Sequence, residues 1–119
     1  MKKVTLCAFG ARYSHSNMAL HCLKGAVPFD FRKSIRILEL TQNDRLSYAI
    51  ERISKGRPDA VGFSCYIWSI DMVLRAASSI KKILPGCFIL LGGPEAGPAA
   101  DELMEKHGFI DIIDRKSVV

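Results

Sequence analysis

The fold is decided by the stretch Ala60-Val61-Gly62-Phe63-Ser64-Cys65, in which a short apolar run ends in two small residues. Four other short apolar runs occur along the chain, and they are Val4–Phe9, Ser34–Leu40, Phe88–Leu91 and Phe109–Ile113. Continuous apolar runs of this length are typical of strands that are covered on both faces. The sequence therefore predicts five strands, of which Ala60–Phe63 forms the third.

Helical patterns fill the intervals between these runs. The longest follows Ser69, a possible N-cap, and ends at Pro85-Gly86. Its apolar residues recur along one helix face, and they are Ile70, Val73, Leu74, Ala77, Ile80 and Leu84. A second pattern follows Asp44, another possible N-cap, and ends at the turn Lys55–Pro58, where glycine permits a left-handed conformation.

Two further helices have weaker signals. One starts near Gly97-Pro98, since proline suits the first helical turn, and it ends at His107-Gly108. The other follows the first strand, is capped by Ser14 or Ser16, and closes near Gly25. Each strand is thus followed by a helix until the fifth strand is reached.

Alternating strands and helices predict right-handed crossovers and a parallel sheet. The expected class is α/β, with three layers of the flavodoxin-like or Rossmann-like type. Five strands favour the order 2-1-3-4-5, in which the direction of the connections reverses between the first and third strands.

Length and composition set the limits of the function. The chain has 119 residues, which we interpret as one domain over residues 1–119, and 49% of them are hydrophobic. No apolar run approaches the roughly 18 residues that a membrane span requires, so we expect no membrane partner. No signal peptide is recognisable, and the four cysteines lack zinc-ligand spacing. We expect a cytoplasmic protein with reduced thiols.

The net charge of +5 is unevenly distributed. Residues 1–60 carry 11 basic and 5 acidic side chains, whereas residues 61–119 carry 6 and 7. A basic half can meet nucleic acid or an anionic cofactor. Scattered charge of this kind is more often a solvated surface, and aromatic residues do not alternate with the basic ones, so we expect no nucleic acid partner.

A ligand is expected where the strands end, because open α/β sheets bind ligands beyond their carboxyl ends at the reversal point. Three of the segments there begin with small residues, which let a ligand approach the backbone closely, and they are Gly10–Asn17, Ser64–Ser69 and Gly92–Gly97. A fourth begins at Asp114. Loops that follow strands often contain glycine and serine for structural reasons alone, so three such loops are moderate evidence.

Individual side chains in these loops have alternative interpretations. His15 suits a metal or ligand contact, but a lone loop histidine more often makes an ordinary hydrogen bond. Tyr66 and Trp68 suit packing against a flat conjugated ligand, or Trp68 covers the domain's own helix. Cys65 is a possible nucleophile without an assignable base, and Glu95 suits a solvated or capping role. We therefore assign no catalytic residue and no metal ligand.

Three segments together resemble a known family. They are Gly62–Trp68, the stretch Leu90-Leu91-Gly92-Gly93-Pro94-Glu95, and the loop Ala11–Ser16 with the helix after it. This combination resembles the N-terminal cobalamin-binding domain of cobalamin-dependent radical S-adenosylmethionine enzymes, which include methyltransferases and cyclases of the anaerobic magnesium-protoporphyrin monomethyl ester type. The match covers essentially the whole chain.

The resemblance implies that cobalamin binds at the strand ends. Ser64 would line the pocket of the nucleotide tail, and Gly92-Gly93 would leave room for that tail. The resemblance places further cofactor-binding residues around the corrin, and they are Ala11, Arg12, Tyr13, His15, Ser16, Cys65, Tyr66, Trp68, Pro94 and Glu95. The corrin would be presented to a C-terminal radical S-adenosylmethionine domain, which would hold the iron–sulfur cluster and S-adenosylmethionine.

The sequence departs from the family in three respects. The DxHxxG motif is absent, so no histidine is assignable as the cobalt ligand. CxxxCxxC is also absent, which places the cluster outside this chain. Relatives often continue after the fifth strand with a Gly-Glu-rich turn, whereas Asp114-Arg115 is followed here by only four residues, and we expect a piece of a larger radical enzyme.

Three other functions are alternatives to cobalamin binding, and one of them is excluded by the sequence. A flavodoxin-like domain that binds FMN or another nucleotide has the expected fold, but a Ser/Thr-rich phosphate loop is lacking after the first strand. A non-binding interaction domain also fits. A receiver-like signalling domain is rejected, because Gly10 and Ser64 stand where acidic residues would be required.

Overall fold

A computed structural model of the protein describes residues 3–10, 35–41, 44–65, 69–92 and 99–113. The strands are β1 (Val4–Gly10), β2 (Ile35–Thr41), β3 (Ala60–Ser64), β4 (Phe88–Gly92) and β5 (Ile112–Ile113). The helices of this part of the chain are α1 (Leu46–Ser54), α2 (Ile70–Ile83) and α3 (Ala100–Lys106). The helix predicted between the first two strands lies outside the described residues.

The five strands form one parallel sheet in the order β2-β1-β3-β4-β5. The predicted α/β class and strand order are therefore confirmed. Connections run one way from β1 to β2 and the other way from β3 onward, so the reversal point lies between β1 and β3 as predicted.

Alternation along the strands gives the sheet two faces. On β1, Val4, Leu6 and Ala8 point to one side, which we call face A, while Cys7 and Phe9 point to the other, face B. The main core lies on face B, where Ile53 of α1 and Ile80 of α2 are fully buried. In the described part of the chain, the buried cluster on face A consists of the three β1 residues named above.

Several element boundaries differ from the sequence prediction. Each of the first four strands extends one residue further, to Gly10, Thr41, Ser64 and Gly92, whereas β5 is restricted to two residues. The N-cap of α1 is Arg45 rather than Asp44. The Asp44 carboxylate instead accepts a hydrogen bond from the Thr41 amide at 2.8 Å and closes a turn after β2.

The described cysteines, Cys7, Cys65 and Cys87, are buried and unpaired with one another. Burial raises the pKa of the Cys7 thiol, a shift that nearby Arg36 opposes. Burial also raises the pKa of Cys87 to about 11, against the opposing influence of Lys81. Both thiols therefore stay protonated at neutral pH and pack as small apolar groups.

The amino ends of β4 and β5 are joined to α2 by a single carboxylate. Asp111 Oδ2 accepts hydrogen bonds from Lys81 Nζ and from the Ile89 amide, each at 2.8 Å. Lys81 Nζ also donates to the Cys87 carbonyl at 2.7 Å. The Lys81 and Asp111 side chains are 27% and 32% exposed, so the pair is only partly screened by water.

The turn between α1 and β3 contains two consecutive residues with positive φ. Gly56 has φ of 83° and Arg57 has φ of 52°. The left-handed conformation is accessible to glycine without penalty and is unfavourable for side chains with a Cβ. Gly56 is therefore required by the backbone rather than by packing, since nothing lies within 4 Å of the position a Cβ would take.

No helix of the described residues is long and apolar enough to cross a membrane.

Replacement of Asp111 tests the connection at the amino ends of β4 and β5. We expect Asp111→Ala to lower the free energy of unfolding by about 1–3 kcal/mol in urea denaturation, because the Ile89 amide loses its side-chain acceptor and Lys81 loses its ion-pair partner. Asp111→Asn should lose less, since its side-chain oxygen can still accept from the amide. Glu102→Ala, which breaks the exposed Lys106–Glu102 pair, is the control. Equal effects of Asp111→Ala and Glu102→Ala would contradict this role.

Replacement of Gly56 tests the left-handed turn. Gly56→Ala should destabilise the protein by about 1 kcal/mol, because alanine resists positive φ. Gly86→Ala is a matched control, since Gly86 also has open space around it and lacks a positive φ. Thermal unfolding of the two variants should differ clearly, and identical melting temperatures would show that the turn relaxes at no cost.

Candidate functional site

The carboxyl ends of the strands bring four small residues to one edge of the sheet. Gly10 of β1 is in register with Thr41 of β2, and Ala8 of β1 is in register with Ser64 of β3. Ser64 is in turn the register partner of Gly92 on β4. Residues in register on parallel strands share a face, so Thr41 lies on face A with the four small residues, which are Ala8, Gly10, Ser64 and Gly92. We call this region the small-residue edge.

Ser64 is the most informative residue of the small-residue edge. It has no solvent exposure, and its Oγ lacks a hydrogen-bond partner within the part of the chain that the structure describes. A buried hydroxyl in this state costs about 1–3 kcal/mol relative to one that is hydrogen-bonded. Such groups are rare in folded proteins, and this one lies at the predicted reversal point of the sheet.

Face A changes in character along the strands. Toward the amino ends it carries Val4 and Phe88, and in the middle it carries Leu6 and Leu90. A Cβ added to Gly62, which lies between these two leucines, would come within 2.8 Å of Leu6 Cδ2. The Leu6 side chain thus fills the space above Gly62. Toward the carboxyl ends beyond these two leucines, the described residues of β1, β3 and β4 on face A all have small side chains or none.

The end of β3 is fixed by a backbone hydrogen bond. The Cys65 amide donates to the Gly92 carbonyl at 2.7 Å, which joins the ends of β3 and β4 immediately after Ser64. The Cys65 side chain is fully buried in the main core on face B, so it points away from the Ser64 hydroxyl. Ser64 and Gly92 are therefore held rigidly, and the thiol packs on the opposite side of the sheet.

Of the sequence-predicted site residues, Ser64, Cys65 and Gly92 are described, and the sheet brings Ser64 and Gly92 together on one face. The others lie outside the described residues, and they are Ala11, Arg12, Tyr13, His15, Ser16, Tyr66, Trp68, Gly93, Pro94 and Glu95. Among the residues that are described, no group of three or more His, Cys, Asp or Glu side chains is arranged to hold a metal ion.

Thr41 is a residue of this edge that sequence reasoning missed. It is 6% exposed, and its Oγ1 is the second buried oxygen without a partner in the described ranges. The sequence prediction ended the second strand at Leu40 and drew its candidate loops from the other strands. The available signal was a β-branched polar residue directly after an apolar strand, which also fits an ordinary strand end.

Comparison with known proteins finds relatives whose names describe methyl transfer. A cobalamin-dependent radical SAM methyltransferase, TokK, from Streptomyces tokunonensis is 29% identical over 56 residues, which are 47% of this chain and 8% of that protein. The hopanoid C-3 methylase of Methylococcus capsulatus is 30% identical over 83 residues, which are 68% of this chain and 16% of that protein. The chain thus spans less than a fifth of the length of either relative.

A solved structure with the same fold is a cobalamin-binding protein from Desulfitobacterium hafniense. It superposes with a TM-score of 0.64 over 98% of this chain and 53% of that chain, at 12% sequence identity. The similarity supports the fold that is observed in the described residues. The family model of the B12 binding domain matches residues 6–116, which include all of the small-residue edge. The chain therefore belongs to the B12-binding domain family.

Proposed function

We propose that the protein binds cobalamin at the small-residue edge and presents the corrin to a radical S-adenosylmethionine catalytic domain. The observation that carries the proposal is the buried, unpartnered Ser64 hydroxyl at the reversal point of the sheet. Family membership and the names of the relatives support the cofactor and the catalytic context.

The residues of the edge fit a large cofactor with polar groups. A hydroxyl can donate one hydrogen bond and accept two, so Ser64 Oγ can meet either kind of polar atom. Ala8, Gly10 and Gly92 leave the adjoining part of face A without bulky side chains. A site with few polar groups in a largely apolar surround is the usual form of a cofactor pocket.

We assign the nucleotide tail of cobalamin to Ser64 and Gly92-Gly93. By their position in the sequence, the remaining predicted residues would surround the corrin, and they are Ala11, Arg12, Tyr13, His15, Ser16, Tyr66, Trp68, Pro94 and Glu95. Cys65 would contribute through its amide, which holds the end of β3 against β4. No residue of the chain is proposed as a cobalt ligand or as a catalytic group.

The catalytic context belongs to the same proposal. When bound, cobalamin supplies a cobalt centre that carries a methyl group or otherwise assists radical chemistry. The role of residues 1–119 would be to hold the cofactor, as a single domain, while the partner domain holds the iron–sulfur cluster and S-adenosylmethionine. The whole enzyme would be of the methyltransferase or cyclase type.

Reconstitution tests cofactor binding directly. The purified protein is incubated with hydroxocobalamin and desalted, and we expect the visible corrin spectrum to be retained at micromolar concentration. Gly93→Leu should abolish retention, because its side chain would occupy the space assigned to the nucleotide tail. Gly86→Leu, the same change at the opposite edge of the sheet, should leave retention unchanged. Circular dichroism of both variants verifies folding.

Three outcomes would count against the proposal. Retention of a yellow flavin after parallel incubation with FMN, without retained corrin, would favour a flavodoxin-like nucleotide binder. Retention of neither cofactor would favour an interaction domain. Equal cobalamin retention by Gly93→Leu and the original protein would overturn the assignment of the glycine pair.

Ser64→Ala should have opposite effects on stability and on binding. Without ligand, we expect the free energy of unfolding to stay the same or to rise by about 1 kcal/mol, because an unpartnered buried hydroxyl is removed. Affinity for hydroxocobalamin should fall about 3- to 10-fold with the loss of one hydrogen bond. Ser69→Ala is the control, because Ser69 is equally buried and is engaged within the fold. It should destabilise the protein and leave affinity unchanged.

A destabilised, ligand-free Ser64→Ala protein with unchanged affinity would show that the hydroxyl serves the fold. The two measurements therefore separate a structural role from a role in binding.

A further inference from the structure

The second unpartnered hydroxyl, Thr41 Oγ1, is held in a fixed place. The Thr41 amide donates to Asp44 Oδ2 at 2.8 Å, and the Thr41 carbonyl accepts from the Asp44 amide at 3.1 Å. Both backbone polar groups are thus satisfied locally. The hydroxyl is the remaining polar group of the residue, and it is buried without a partner in the described part of the chain.

The described part of the fold gives no reason for a hydroxyl at this position. Valine has nearly the same shape as threonine and an equal preference for strands, and it would avoid the cost of burying an unpartnered oxygen. Replacing hydrogen-bonding groups by apolar groups of the same shape can be nearly neutral or stabilising. A buried oxygen that the fold does not need is expected to have a partner that binds from outside.

Thr41 and Ser64 flank the same part of face A. Two strand spacings separate them across the sheet, which is about 10 Å, and Thr41 stands about 7 Å further toward the carboxyl ends. Between them on this face, β1 presents only Ala8 and Gly10. A ligand that meets both hydroxyls must therefore span β1, with Ser64 at the deeper position and Thr41 nearer the rim.

The chemistry of the hydroxyl indicates which ligand group Thr41 would meet. A hydroxyl can donate one hydrogen bond and accept two. A neutral carboxamide has both a donor and an acceptor and suits a hydroxyl. Cobalamin carries carboxamide side chains around the rim of its corrin ring.

We propose that Thr41 is a second cofactor-binding residue, whose hydroxyl hydrogen-bonds a peripheral carboxamide of the corrin, while Ser64 serves the nucleotide tail. This inference rests on the proposed function. It divides the small-residue edge into a deep part at β3 and β4 and a rim part at β2, and the two parts recognise different halves of one cofactor.

Two ligands distinguish the two parts. Hydroxocobalamin carries the nucleotide tail, whereas aquacobinamide has the same corrin and carboxamides without the nucleotide. Dissociation constants are measured for both by visible-absorbance titration of the purified protein, of Thr41→Val and of Ser64→Ala. Thr41→Val should weaken both ligands by the same factor, about 3- to 10-fold. Ser64→Ala should weaken hydroxocobalamin only.

Stability and a matched variant complete the test. Thr41→Val should leave the melting temperature of the ligand-free protein unchanged or raised. Thr5→Val makes the same change at a buried residue of β1 on face B, and it should leave both dissociation constants unchanged. A Thr41→Val protein that melts earlier and binds normally would show that the hydroxyl stabilises the fold, which overturns the inference.

The remaining outcomes are equally decisive. Unchanged binding of both ligands by Thr41→Val would overturn the inference while leaving the proposed function intact. Weakening of hydroxocobalamin alone would place Thr41 against the nucleotide and overturn its assignment to the corrin rim. If the original protein binds neither ligand, the proposed function fails, and the role of Thr41 fails with it.

Discussion

Parallel pairing of β1 with both β2 and β3 is the constraint on which the other features of the molecule depend. Because the strands run in one direction, all their carboxyl ends lie at the same edge. The connection that follows β1 and the connection that follows β3 run in opposite directions across the sheet, so a gap lies between the carboxyl ends of these two strands. Ser64, Gly92 and Thr41 come from three distant parts of the sequence, and the register alone places them on one face.

The two edges of the sheet have different energetic roles. At the amino edge, Asp111, Lys81 and the backbone of β4 satisfy one another within the fold. At the carboxyl edge, two buried hydroxyls have no partner among the described residues. Such a division is expected of a binding domain, since groups reserved for a ligand are left unsatisfied without it and the rest of the fold compensates for their cost.

The sequence was sufficient for the fold because apolar runs and helix ends are local signals. Ala60–Phe63 and the stripe of α2 could be identified without tertiary information, and the strand order followed from their alternation. The small residues at the strand ends were less predictable. Ladder hydrogen bonds use the backbone, so a strand can continue through glycine or serine where side-chain preferences suggest a loop.

The candidate site was only partly predictable for related reasons. Asp44 has the chemistry of both an N-cap and a turn residue, and the choice depended on the nearby Thr41 amide. The sequence signal of Thr41, a β-branched polar residue after an apolar run, also fits an ordinary strand end. Its missing partner is a property of the packed structure and could not be predicted. Cys65 adjoins Ser64 in sequence, yet alternation sends its side chain to the opposite face.

The close approach of Leu6 to Gly62 connects the interior of the domain to the proposed cofactor site. Leu6 Cδ2 occupies the space that any side chain at position 62 would claim, and Ser64 lies two residues further along the same face. Because residue 62 is a glycine, Leu6 can pack directly over the backbone of β3 beneath the proposed cofactor site. A larger residue at position 62 would push Leu6 toward that site, so the depth of the site depends on a residue that lies below it.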